Sequence, residues 1–247
     1  MKKIKIFMLL LLSAVLIGNC APTQGRDQAK PEAARQLIEI LESHRVSPVF
    51  TALERESNFK EKSRINLVDD ISPVNRDGTV EAVVEIYAGS NEMWQVSQDG
   101  FYLEWKFKNN IPEVIPYTGC PGNYGFIPAA RAVPEGRTHS ELLDIIVLGN
   151  PMPRGKVIET KLIGILTFEA QGKEYRVLLG LHRSSAMYDA EEVRELEQNY
   201  PGVLNILITW FENFEGRETM KFVSLGNHAE ADRVLRSAIE AYKEFKQ

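Results

Sequence analysis

Cysteine is nearly absent: the chain has two in 247 residues, too few to build a disulfide scaffold. Positive charge is also in the minority, with 29 Lys and Arg against 34 Asp and Glu and a net charge of −5. That balance excludes a broad cationic surface for nucleic acid. No apolar run reaches the roughly 20 residues that a spanning helix needs. The longest, Phe7–Ile17, has eleven and is interrupted by Ser13. Internal repeats and low-complexity segments are missing too. What remains is 44% hydrophobic and 26% charged with 17 Gly and 12 Pro, the composition of a globular protein with one large domain or a domain and an extension.

The apolar run has the form of a secretory signal: Lys2, Lys3 and Lys5 precede it, and Gly18-Asn19-Cys20 follow. Small residues before a cysteine resemble a bacterial lipobox, although Asn19 departs from the usual Gly, Ala or Ser. The expectation is removal of 1–19 as a signal peptide and lipidation of Cys20. That would give an extracytoplasmic, lipid-anchored protein of the cell envelope held to a membrane through Cys20. A plain secretion signal and an uncleaved anchor stay open. Loss of three lysines would take the net charge to −8 and leave Cys120 without a partner.

Residues 20–78 read as a tether and extension, with an amphipathic helix near Pro31–Ser43 and weak periodicity from Ser47 to Gly78. Regular structure begins at Thr79. Val80, Ala82, Val84 and Ile86 alternate as a half-buried strand requires. Phe101–Phe107, Leu142–Leu148, Val157–Phe168 and Tyr175–Leu181 are further strands. Asp189–Gln198 and Val203–Phe214 read as helices, Met220–Leu225 as a short strand and Ala229–Phe245 as a closing helix. Strands first and helices after them predict an α+β fold, a curled or closed sheet with C-terminal helices on one side.

Two segments carry more. Glu85-Ile86-Tyr87-Ala88-Gly89-Ser90-Asn91 and Pro121-Gly122-Asn123-Tyr124-Gly125-Phe126-Ile127-Pro128, followed in order by Pro153-Arg154-Gly155-Lys156-Val157, Ile163–Leu166 and Trp210–Phe214, resemble the soluble family I inorganic pyrophosphatases. The resemblance runs from about Thr79 to Phe245 and implies a five-stranded OB-like barrel with packed helices. It also implies hydrolysis of pyrophosphate, or a related phosphoanhydride, with several Mg²⁺ ions bridged by carboxylates. A homo-oligomer is allowed.

Carried over by residue, Glu85 matches the first-strand acid and Tyr124 the tyrosine of Asn-Tyr-Gly. The family's Asp-x-Asp-x-x-Asp falls on His139, Glu141 and Asp144. Glu141 is the candidate water-activating acid, and Asp144 combines catalytic and metal roles. Glu174 and Arg176 stand where the family has an aspartate and a lysine, after a loop one residue shorter. The implied metal ligands are Glu85, His139, Asp144 and Glu174. A histidine among them moves preference from Mg²⁺ towards Mn²⁺, Co²⁺ or Zn²⁺.

The substrate side is depleted. Tyr124 and Arg176 remain, and the family arginine of the second strand falls on Lys106 or Lys108 behind an insertion. The family's lysine and glutamate fall on Met93 and Gln95, a tyrosine on Cys120, and the late Tyr-Lys pair on Phe214 and Glu215. The expectation is a weakened pyrophosphatase; a non-catalytic lipoprotein that uses the same barrel for binding or structure is the alternative.

Overall fold

The computed structural model describes residues 53–132, 142–217 and 219–247. Along the chain these form β1 (Glu54–Ser57), β2 (Lys60–Lys62), β3 (Val80–Ile86), β4 (Trp94–Val96), β5 (Tyr102–Trp105), β6 (Phe107–Lys108), β7 (Ile111–Pro112), β8 (Asn123–Arg131), β9 (Leu142–Leu148), β10 (Val157–Ala170) and β11 (Lys173–Leu181). Helices α1 (Val193–Asn199) and α2 (Val203–Asn213), strand β12 (Lys221–Asn227) and helix α3 (His228–Phe245) complete the order.

Apolar residues occupy both faces of β3 and of much of β9–β11; closure of the sheet buries one face and the elements packed outside it bury the other. Five strands run in the order β11-β9-β8-β3-β10, β10 then pairs with β11 to close the barrel, and β12 adds to the outside of β10. Length makes the closure work. The fourteen residues of β10 pair with β3 at Val157–Thr160 and with β11 and β12 further on. All five strands share one cluster, including Val84, Ile127, Ile145, Ile165 and Leu178, which Ala231, Leu235 and Ala238 of α3 cover. The Asn227 side chain caps α3 by accepting from Glu230 N–H at 3.0 Å.

Two covers divide the outer face. On one flank, Leu196 of α1 and Leu207, Trp210 and Phe211 of α2 pack on Ile146, Phe168 and Val177. On the other, Trp94 and Leu103 of the four-stranded sheet β1-β2-β5-β4 join Leu67 and Ile71 over Val83 and Phe126. Residues 53–78, despite weak periodicity, are therefore built into the folded body: β2 pairs with β5, and Leu67 is fully buried.

Asn123 and Gly125 favour a turn by local preference, yet 123–131 is a barrel strand. Gly125 explains the discrepancy. A Cβ there would lie 1.8 Å from the Val83 carbonyl oxygen, so the glycine marks a close approach of β3 to β8. Helix α1 starts at Val193, four residues after the expected Asp189. The preceding residues form a turn tied by Lys161 to Glu191 at 2.9 Å. Residues 1–52, with Cys20 and the helix expected at Pro31–Ser43, lie outside the described residues. No helix among the described residues is long and apolar enough to cross a membrane.

Candidate active site

Strand pairing sets Asp144 at the seam between the two covers. Its neighbour on β8 is Phe126, beneath the small sheet. Its neighbour on β11 is Val177, beneath the helices. Cross-strand partners share a face, so this row brings a carboxylate out between two apolar zones. Tyr124 lies on the same face, opposite Ile86 on β3 and Ile146 on β9, with its ring 6.2 Å from that of Phe211.

Glu85 enters from β3, where a register shift between Val84 and Ile86 interrupts the pairing with β8. Its carboxylate is buried and accepts the Val96 N–H at 2.6 Å. Burial pushes its pKa up to about 8; the Val96 bond opposes that, the Asp144 charge adds to it, and Lys106 opposes it. Glu85, Lys106 and Asp144 are thus within electrostatic reach of one another. Lys106, half-buried, is held by its backbone, donating to Met93 and accepting from Glu113, both at 2.7 Å. Lys108 is exposed on the β6–β7 hairpin.

Hydroxyls close the Asp144 side. Tyr175 donates to Asp144 Oδ2, and the Tyr124 and Tyr175 hydroxyl oxygens are 2.5 Å apart. Burial, followed by the nearby Asp144 charge, drives the Tyr124 pKa well above the phenol value. Its hydroxyl stays protonated.

Glu174 and Arg176 are not brought to this point. They pair with each other in an exposed ion pair. The reason is the two-residue turn Gln171-Gly172, both in the left-handed region at φ 53° and 72°. It fixes Phe168 opposite Tyr175 and Glu169 opposite Glu174. Tyr175 therefore shares the face of Phe168 and Val177, and its neighbours on either side point away. A one-residue change in register exchanges the faces of a strand, and the shortened loop is where such a change arises. Tyr175 is the site residue that sequence reasoning missed: Val177 and Leu178 are both fully buried, so periodicity alone does not say which face of β11 meets Asp144.

Asn123 and Arg154 support the site from behind. The Asn123 side chain is fully buried. It accepts from Met152 N–H at 2.8 Å and Ala88 N–H at 3.2 Å, and donates to the Asn150 carbonyl at 2.9 Å. Two loops are tied to the start of β8 by one amide. Arg154 pairs with Glu92 at 2.5 Å and Glu61 at 3.5 Å, stacks on Trp94 at 3.7 Å, and donates to the Glu85 carbonyl at 3.3 Å. It holds the small sheet against the strand that carries Glu85.

The depleted substrate positions are filled by packing. Met93 and Phe214 are buried in the helix-side cluster, Phe214 stacked on Trp210 at 4.8 Å. Cys120 is buried and its thiol is pushed up to about 12, which leaves no thiolate for nucleophilic chemistry. Gln95 and Glu215 are exposed.

Among the described residues, no three His, Cys, Asp or Glu side chains converge closely enough to hold an ion. Glu85 and Asp144 supply two carboxylates in partly dry surroundings, with the Lys106 charge within reach of Glu85. Such an oxygen-donor pair suits a hard divalent cation, which also takes further oxygens. His139 and Glu141, the other implied ligand and the water-activating candidate, lie outside the described residues.

The family model for inorganic pyrophosphatase matches residues 82–243. Among proteins of similar sequence, inorganic pyrophosphatase 1 of Caenorhabditis elegans is 25% identical over 232 residues, covering 80% of this chain and 54% of its own length. The chain thus spans about half of that relative. The inorganic pyrophosphatase of Geobacillus stearothermophilus is 28% identical over 172 residues, 68% of this chain and 96% of that one. In structure, the type I inorganic pyrophosphatase of Toxoplasma gondii superposes with a TM-score of 0.71 at 19% identity, over 78% of this chain and 97% of that chain. The closed five-stranded barrel is thus shared with these enzymes well beyond the level of sequence identity, and the chain belongs to the inorganic pyrophosphatase family.

Proposed function

We propose that this protein hydrolyses inorganic pyrophosphate to two phosphates with divalent cations, and that it does so slowly. One observation carries the reading: Glu85, Lys106, Tyr124 and Asp144, four positions spread over 60 residues, converge at one seam of a barrel of this family. Glu85 and Asp144 would hold the ions, with Glu141 and His139 as the further donors. Mg²⁺ is the expected ion, and a His139 ligand would favour Mn²⁺, Co²⁺ or Zn²⁺. When bound, such ions lower the pKa of a water and neutralise phosphoryl charge.

The chain's own groups do the rest. Lys106 offers an ammonium and Tyr124 a hydroxyl to the phosphoryl oxygens. Glu141 is placed in sequence to take the proton as the water oxygen bonds to phosphorus and the bridging oxygen leaves with the second phosphate. Slowness follows from what is missing. A hydrogen bond to a charged group is worth roughly 1.5–3 kcal/mol, so the loss of two lysines at Met93 and Glu215 removes on the order of 3–6 kcal/mol of substrate binding, about 10²–10⁴-fold.

The test is phosphate release by the full chain with Mg²⁺, Mn²⁺, Co²⁺ and Zn²⁺ in turn. Release with at least one ion, slow and at high pyrophosphate, is expected. No release with any of the four would hand the chain to the non-catalytic alternative. The signal-like start supports a lipid on Cys20 and an extracytoplasmic, membrane-anchored address. Labelled fatty acid should enter the wild type and not Cys20→Ser, and equal labelling would reject the anchor.

A further inference from the structure

A phenol hydroxyl has one proton to give. Tyr175 gives its proton to Asp144, so at 2.5 Å from the Tyr124 oxygen it must accept from Tyr124. The chain of donation runs from Tyr124 through Tyr175 to the carboxylate. Two groups are thereby occupied at once: the carboxylate proposed to hold an ion, and the hydroxyl proposed to meet the substrate. The arrangement is not accidental looseness at a strand end. The Gln171-Gly172 turn fixes Tyr175 opposite Phe168, and its ring packs on the helix-side cluster.

We propose that Tyr175 is a positioning residue that holds Asp144 closed against divalent cations, so that ion entry displaces its hydroxyl and releases Tyr124 towards the substrate. The inference rests on Asp144 being an ion ligand and goes beyond it by naming what competes for that ligand. A cation that binds through Asp144 Oδ2 competes with a hydrogen bond to a charged acceptor, and the loss of that competitor tightens binding by about 10- to 100-fold. Ion and pyrophosphate binding are then coupled through one phenol, because the same movement frees both partners.

The test is calorimetric titration of the full chain with Mn²⁺ alone, in wild type, Tyr175→Phe, Tyr124→Phe and Asp144→Asn. Tyr175→Phe keeps the packed ring and removes only the hydroxyl; it should bind Mn²⁺ at least tenfold more tightly. Tyr124→Phe removes the donor to Tyr175 and should tighten binding by a smaller factor. A second readout uses the wild type itself: added Mn²⁺ should give a near-ultraviolet tyrosine difference band as the hydroxyl leaves the carboxylate, and Tyr175→Phe should lack it. Equal or weaker binding by Tyr175→Phe, with binding still lost in Asp144→Asn, overturns the closure and leaves Asp144 as a ligand. Binding absent from the wild type and Tyr175→Phe alike, or unaffected by Asp144→Asn, overturns the ligand reading and the closure with it.

Discussion

Glu85→Gln removes a charge that the fold itself disfavours, and its effect should depend steeply on pH. The native carboxyl is raised from the ordinary 4.5 to about 8, mainly by burial, while the unfolded carboxyl keeps its ordinary value. A raised acid contributes stability that is complete below about 4.5 and is lost as pH rises through about 8. Within that window the native state holds a proton that the unfolded state has released, and each pH unit costs about 1.4 kcal/mol. The substituted glutamine would mimic the protonated acid: its amide oxygen can still accept from Val96 N–H, and it has nothing to ionise. Urea unfolding of both proteins in chelator, at several values from about pH 5 to about pH 8, should therefore show a widening gap. The variant gains on the wild type by roughly 3–4 kcal/mol across that range. Taking the difference between the two proteins cancels the titrating groups that do not interact with Glu85; the Asp144 and Lys106 couplings stay in it. Saturating Mg²⁺ should shrink the gap at the upper end, since a cation near Glu85 favours the ionised form. Parallel stability curves, or a gap that narrows as pH rises in chelator, would refute the burial argument.

Gly125→Ala should cost more than about 3 kcal/mol or prevent folding, because the new methyl would overlap the Val83 carbonyl; thermal unfolding measures it. Asn123→Ala leaves the Ala88 and Met152 N–H groups and the Asn150 carbonyl without their partner, at a cost of roughly 2–5 kcal/mol by urea unfolding. Met93→Lys puts an ammonium into an apolar cluster and should destabilise by about 3 kcal/mol or more. Glu215→Lys, at an exposed position, should be tolerated and strengthen pyrophosphate binding in calorimetry.

The barrel was legible where hydrophobic alternation is strong. The period of two in Val80–Ile86 and the Ile, Leu and Val run of Leu142–Leu148 match strands of those same bounds, and the closing helix starts one residue before the reading, after its Asn227 cap. Segment 123–131 was not legible, because Asn123 and Gly125 favour turns by local preference while the chain there runs as a strand. Here they answer tertiary demands: Gly125 admits the neighbouring strand, and the Asn123 amide ties two loops to the start of β8. Periodicity was silent at 54–72, where short strands and isolated anchors such as Leu67 depend on partners far along the chain. No local pattern encodes such contacts.

The site divides along the same physical line. Tyr124 and Asp144 sit inside strands whose register is pinned by neighbours on both sides, and Glu85 stands at a register shift of β3; the family motifs and the fold bring these three to one seam. Glu174 and Arg176 follow a hairpin turn, and their facing depends on how many residues that turn contains. The turn here is Gln171-Gly172, the tightest a hairpin allows, and it places Phe168 rather than Glu169 opposite Tyr175. Matching residue types across a shortened loop preserves the letters and loses the side of the sheet. What stands beside Asp144 in consequence is a phenol where an acid was expected, and it brings a hydrogen bond in place of a negative charge. That exchange lowers the charge of the site by one carboxylate and leaves fewer oxygens for cations, the same direction in which Met93 and Phe214 alter the substrate side. Both halves of the site have moved towards packing, the direction that the proposed slow, weakly binding hydrolysis requires.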